Sequence, residues 1–96
     1  MNVLVTYDVN TETKAGRRRL FKVAQTCKSF GQRVQYSVFE CRVDAGQYED
    51  LVAKLKKIIN PASDSLRIYK LRGERDEFLS CFGLDRHIDF DEPLVL

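Results

Sequence analysis

The chain has 96 residues, enough for one domain and not two. A composition of 44% hydrophobic and 31% charged residues excludes a disordered chain. A domain of this size buries only about 60–65% of its unfolded surface, so self-association would help to stabilise it. No apolar run approaches the ~20 residues of a membrane span. The amino terminus runs straight into a strand pattern with no basic region and no cleavage site, so a cytoplasmic protein without a secretory leader is expected. Cys27, Cys41 and Cys81 have no C-x-x-C spacing and read as reduced thiols. With a single histidine they make a poor zinc set.

Net charge is only +2, yet it is unevenly distributed. Residues 1–73 hold 14 basic against 7 acidic side chains, whereas residues 74–96 hold 2 against 7. A basic body with an acidic tail fits a polyanionic partner for the body, although charges that merely solvate the surface would look the same.

In chain order, Val3-Leu4-Val5-Thr6-Tyr7-Asp8 reads as a central strand buried on both faces, ending on a carboxylate before the turn residues Val9-Asn10-Thr11. Alternation sets Val3, Val5 and Tyr7 on one face, and Leu4, Thr6 and Asp8 on the other. Thr11 or Thr13 can cap a helix running to about Ser29, with Leu20, Val23, Ala24 and Cys27 on one face, widened by Phe21 and Phe30. Gly31 suits a left-handed position closing that helix. The helix carries Lys14, Arg17, Arg18, Arg19 and Lys22 in its first turns, where the helix dipole opposes cations. An anionic partner would explain them.

Arg33 to Val43 reads as two strands. Val34, Tyr36 and Val38 alternate in one register, then Phe39, Cys41 and Val43 in the other, which requires a tight turn or a bulge near Tyr36-Ser37. Asp44 and Gln47 form a capping box that opens a second helix. Tyr48, Leu51, Val52, Leu55, Ile58 and Ile59 share one face of it, Lys54, Lys56 and Lys57 lie outside that stripe, and Asn60-Pro61 ends it. Leu66 to Leu71 is a fourth strand, stopped by Gly73.

The order β-α-β-β-α-β predicts an α+β, ferredoxin-like core over residues 1–73: a four-stranded antiparallel sheet with two helices on one face. The other face carries too many apolar residues to stay wet, so two sheets packed face to face in a homodimer are expected. Residues 74–96 form an acidic extension in which Phe78, Leu79 and Phe82 can dock. Its apolar end, Pro93 to Leu96, suits a short edge strand on its own sheet or a partner's.

Asp8 is either a turn acid or a ligand for a hard metal such as Mg²⁺, with a two-fold dimer bringing two copies together. Arg17, Arg18, Arg19 and Arg33, with Lys54, Lys56 and Lys57, form the candidate phosphate-contacting surface. Tyr7, Tyr36, Phe39 and Tyr69 could stack bases, though strand aromatics more often serve a core or an interface. His87 lies in the acidic tail, where a surface role competes with that of a general base.

Four stretches in order resemble the CRISPR-associated Cas-two family, the small subunit of the spacer-acquisition machinery. They are Val5-Thr6-Tyr7-Asp8-Val9, Gly16-Arg17-Arg18-Arg19-Leu20, Gly31 to Cys41 with its Arg-Val-Gln-Tyr-Ser-Val-Phe-Glu-Cys run, and Asp64 to Tyr69. The resemblance implies a ferredoxin-like homodimer in which Asp8 is the metal ligand (Mg²⁺ or Mn²⁺) and catalytic residue. It also implies that Arg17, Arg19 and Arg33 are the basic positions, and that Phe39, beside Tyr7, belongs to the dimer interface.

Two activities follow from it. One is a metal-dependent endonuclease acting on single-stranded RNA or on DNA. The other is a non-catalytic scaffold that binds duplex DNA and bridges dimers of the Cas-one integrase. RNA-recognition domains share the element order, but Ser37 to Val43 lacks their basic-Gly-aromatic stacking pattern.

Overall fold

The structure is a computed structural model that describes residues 1–85. Its elements are β1 (Asn2–Asp8), α1 (Lys14–Lys28), β2 (Gly31–Gln35), β3 (Val38–Arg42), α2 (Ala45–Ile58), β4 (Ser65–Leu71) and a single turn, α3 (Arg75–Phe78). The sheet runs in the order β2-β3-β1-β4, and every neighbouring pair is antiparallel. This is the expected ferredoxin-like α+β arrangement, with β1 and β3 central. No helix among the described residues is long and apolar enough to cross a membrane.

Register explains which side chains share a face. Val3 pairs with Cys41 and Val5 with Phe39 on one side of β1, and on the other side of the strand Val5 pairs with Ile68 and Tyr7 with Leu66. These residues line the face that α1 and α2 cover, where Val23, Ala24, Cys27, Leu51 and Leu55 meet them in one core. Burying each larger aliphatic or aromatic side chain there contributes about 1.5–3 kcal/mol before entropy is counted. The opposite face carries Leu4 and Thr6, half-buried, and Asp8, exposed. β1 is thus buried on one face only within the chain.

Thr13 is the helix cap, its hydroxyl accepting from the Gly16 N–H at 3.0 Å. Gly16 packs against the carbonyl of Asn10, where a Cβ would collide with it. Phe21 departs from expectation. It lies outside the buried stripe and is 63% exposed, because its position on the helical wheel turns it away from the sheet.

Gly31 does not close α1 in a left-handed conformation. Ser29 ends the helix in the right-handed region, and only Gly73 and Gly83 have positive φ among the described residues. Gly31 is instead the first residue of β2, opposite Cys41. A Cβ there would run into the Glu40 carbonyl and the backbone and sulfur of Cys41. The phase change between β2 and β3 uses both devices that the sequence left open. The chain turns at Tyr36-Ser37, and the β2–β3 register shifts between Arg33 and Gln35. The Asp44–Gln47 capping box forms as expected, with bonds of 2.7 and 2.9 Å.

After β4, Gly73 (φ 82°) redirects the chain into α3. Arg75 then reaches Glu40 on β3 (Nε–Oε2 2.7 Å) and Asp85 (Nη2–Oδ1 3.0 Å). Glu40 lies beside Leu4 in the register, so the extension passes over the open face and is held there by charge. Phe78 and Leu79 are half-buried, but Phe82 is exposed and docks on nothing among the described residues. His87 and the apolar end at Pro93 to Leu96 lie outside the described residues.

Substituting Gly31→Ala should destabilise the fold by about 1–3 kcal/mol, the usual cost of forcing a methyl group into packed backbone. Denaturant unfolding at neutral pH checks this, with Gly46→Ala, whose methyl group would make only an ordinary contact with Asp44 Oδ1, as the control that shows no such loss.

Candidate metal and nucleic-acid site

Asp8 closes β1 opposite Ser65, the first residue of β4. Its exposed carboxylate opens onto a shallow depression of about 550 Å³ on the open face of the sheet. Leu4, Thr6, Tyr7, Ser65, Arg67 and Tyr69 form the rest of the lining. Asp8 is the only carboxylate in that set.

The end of the sheet that presents Asp8 is fixed by its neighbour, Asp64. The Asp64 side chain is inaccessible to solvent and receives Arg19 Nε at 2.8 Å. It also accepts from the backbone N–H groups of Asn10 (3.0 Å) and Asn60 (2.8 Å). Arg19 above all, then these amides, holds the Asp64 carboxyl at about 2, against a usual 3.8. Asn10 continues the brace by accepting from the Glu12 N–H at 2.9 Å.

The four arginines expected at phosphates fall into different settings. Arg17 and Arg18 are exposed on the first turn and a half of α1, and Arg17 donates to the Thr11 carbonyl at 3.1 Å. Arg19 points inward and is committed to Asp64 and Ser63. Arg33 lies exposed on the edge strand β2 with its guanidinium 5.3 Å above the ring of Phe39. Among the lysines, Lys54 covers Phe30 at 5.4 Å and forms an exposed pair with Asp50, while Lys56 and Lys57 are exposed.

Tyr7 and Phe39, expected at the dimer interface, have a clear place within the chain. Both belong to the intramolecular core, with Phe39 0% and Tyr7 6% exposed, and their rings stack with centroids 6.3 Å apart. They lie on the face that α1 and α2 cover. Burial raises the Tyr7 pKa, and the nearby Arg33 guanidinium offsets part of that effect. The Tyr7 hydroxyl makes no hydrogen bond among the described residues. Burial likewise pushes the Cys27 thiol up to about 12 and the Cys41 thiol to about 11. Both are packing groups at neutral pH.

Sequence reasoning missed Ser65, Arg67 and Tyr69 as companions of Asp8. The signal was present in their period of two, since residues 65, 67 and 69 share the face opposite Leu66 and Ile68. Only the β1–β4 register, however, sets that face beside Asp8.

The donor set of the depression is all oxygen: the Asp8 carboxylate with the hydroxyls of Thr6 and Ser65. That suits Mg²⁺ or Mn²⁺, which favour carboxylate, phosphate and water. Among the described residues no group of three His, Cys, Asp or Glu side chains is placed to hold a metal ion. One chain therefore supplies a single carboxylate to such an ion.

An antiparallel four-stranded sheet roofed by two helices, with one acid at a strand end and a basic first helix, defines a small ferredoxin-like domain suited to phosphate oxygens. The family model described as CRISPR associated protein Cas2 matches residues 1–77, and the chain belongs to that family. It is 62% identical over 96 residues to the CRISPR-associated endoribonuclease Cas2 of Chlorobaculum tepidum, covering 100% of both chains. It is 56% identical to the CRISPR-associated endoribonuclease Cas2 1 of Moorella thermoacetica, again over 100% of both. The crystal structure of Streptococcus pyogenes Cas2 at pH 6.5 superposes with a TM-score of 0.77 at 49% identity, covering 86% of this chain and 100% of that one.

The Asp64 brace gives a pH signature. Its folded carboxyl titrates below the unfolded value, so its stabilisation is complete above about pH 4 and disappears as pH falls towards 2. Asp64→Asn should be less stable than wild type by about 1–2 kcal/mol at neutral pH, allowing for solvent screening. The difference should shrink towards zero near pH 2. Urea midpoints measured for both proteins across that range test this.

Proposed function

We propose that this chain is a metal-dependent phosphodiesterase of the CRISPR adaptation system that acts as a cytoplasmic homodimer on nucleic acid. The observation that carries the reading is Asp8: an exposed carboxylate, the only acid lining the depression, at a strand end braced by Asp64. The endoribonuclease names of relatives at 56% and 62% identity support it.

In this reading two chains pair through their open sheet faces, and Asp8 of each contributes to one Mg²⁺ or Mn²⁺. The bound ion would polarise a phosphate and lower the pKa of a water. Arg17 and Arg18 on α1 and Arg33 on β2 bind backbone phosphates and orient the strand. Arg19 contributes indirectly, by locking the loop that follows Asp8.

Asp8→Asn should reduce Mg²⁺-dependent cleavage of RNA or DNA by about a hundredfold or more, since the amide removes the charge that holds the ion. Its melting temperature should stay near that of wild type, because Asp8 is exposed and makes no ion pair among the described residues. Equal cleavage by both proteins would sink the catalytic reading and point to a contaminating nuclease.

A second reading is a scaffold that binds duplex DNA and bridges dimers of the Cas-one integrase without cutting. The charge split favours it, with a basic body over residues 1–73 for DNA and an acidic extension over 74–96 for a protein partner. It predicts duplex binding with little sequence preference that weakens steeply with salt. It also predicts that removing residues 74–96 weakens integrase binding more than DNA binding. A tailless protein that assembles normally in a pull-down with the integrase would count against it.

A further inference from the structure

The β2–β3 turn carries a side chain that neither the core nor the site described above uses. Gln35 pairs with Val38, so Tyr36 and Ser37 close the hairpin. Two-residue turns favour Asn, Asp or Gly, yet this one carries a tyrosine that is 90% exposed. Local folding therefore gives no reason for an aromatic at this position. The turn is nonetheless fixed in place, since the Ser37 carbonyl accepts the Tyr7 N–H at 3.1 Å. That bond sets the turn beside the end of β1, where Asp8 is the next residue. Of the aromatics that the sequence presented as stacking platforms, Tyr7 and Phe39 lie in the core, and Tyr69 lies on the sheet face that the homodimer reading covers. Tyr36 stands in the turn at the end of the sheet, beyond the paired strands. Pairing through the open faces does not require its burial.

We propose that Tyr36 is a specificity-determining residue: its ring stacks on the base beside the phosphate bound at Asp8, which biases cutting towards phosphates next to a purine. This deepens the phosphodiesterase reading and rests on it for the phosphate at Asp8. Three features carry it. A strand that touches both the cations of the helical side and Asp8 has to bend around this end of the sheet, and successive bases part at a bend. An exposed ring there replaces the stacking they lose, and tyrosine supplies it at low entropic cost because few side-chain torsions have to be fixed. Arg33, exposed on the same hairpin, holds phosphate while the ring takes the base. A purine presents a larger face to the ring than a pyrimidine does, so stacking strength ranks the bases without any hydrogen-bond readout.

The experiment measures binding separately from cutting. Fluorescence anisotropy in EDTA compares a short labelled RNA strand of mixed sequence with a strand of the same length made of abasic ribonucleotides, for wild type, Tyr36→Asn and Tyr36→Phe. Asn suits the turn, so the melting temperature of Tyr36→Asn should match wild type. This variant should bind the normal strand about fivefold or more weakly and the abasic strand as wild type does. Its binding should keep the wild-type salt dependence, because no phosphate contact is lost. Tyr36→Phe keeps the ring and should stay within about threefold of wild type. In Mg²⁺, cut positions are mapped on strands that differ in one base. Wild type should favour a phosphate next to a purine by about two- to fivefold, and Tyr36→Asn should lose that preference.

Equal binding of the normal strand by wild type and Tyr36→Asn would overturn the proposal. So would an equal loss on the abasic strand, or a purine preference that is absent from wild type or unchanged in Tyr36→Asn. Failure of the nuclease reading is recognised separately: Asp8→Asn would then cut as wild type does, while the two affinities in EDTA still decide whether Tyr36 stacks on a base.

Discussion

The Asp64 carboxylate is shut away from solvent and accepts hydrogen bonds from three separate stretches of chain: Arg19 on α1, the Asn10 amide after β1, and the Asn60 amide after α2. A buried carboxylate is tolerable only when it is paired and hydrogen-bonded in this way. Here the requirement does structural work, since one group ties both helical connections to the first residues of β4. The register that pairs Asp8 with Ser65 lies immediately beside it. Without the brace, β1 would still join the sheet through its core face, but the loop leaving Asp8 would lose its anchor.

The two faces of the sheet have opposite characters. The covered face is aliphatic and aromatic, and it includes Tyr7 and Phe39. The open face mixes half-buried Leu4 with Asp8, Arg67, Tyr69 and the Glu40–Arg75 pair. Alternation in the sequence shows which residues share a face, and the grouping of Val3 with Val5 and Tyr7 holds in the structure. It does not show which group the helices cover, because that depends on the hand of the crossovers between strands. The group of Val3, Val5 and Tyr7 was therefore legible, but its place under the helices was not.

Other differences have the same origin in long-range geometry. A glycine after a helix reads as a left-handed cap, and nothing local distinguishes that from Gly31, where a neighbouring strand comes too close for a side chain. The triplet Arg17-Arg18-Arg19 looks uniform, yet successive helical residues point about 100° apart. Arg19 precedes Val23 by four and so shares the buried side, a signal the spacing did contain. Its partner, 45 residues away, could not be read. Capping at Asp44 was fully legible, and that of α1 was narrowed to Thr11 or Thr13, because those interactions are local, spanning three residues. The element order and both helical stripes were legible for the same reason, with Phe21 the exception.

The separation of faces constrains how any nucleic acid can use this chain. The exposed cations of α1 lie on the helical side, while Asp8 opens onto the other side of the sheet. The two meet only at the strand end, where Arg17 donates to the Thr11 carbonyl of the loop that follows Asp8. A polyanion that touches both must bend around that loop, and a flexible single strand does so at far lower cost than a stiff duplex. A duplex lying straight along the basic helix would leave its phosphates on the wrong side of the sheet from Asp8. On this geometry, a polyanion on the outer helical surface and one at the depression would meet opposite sides of the sheet.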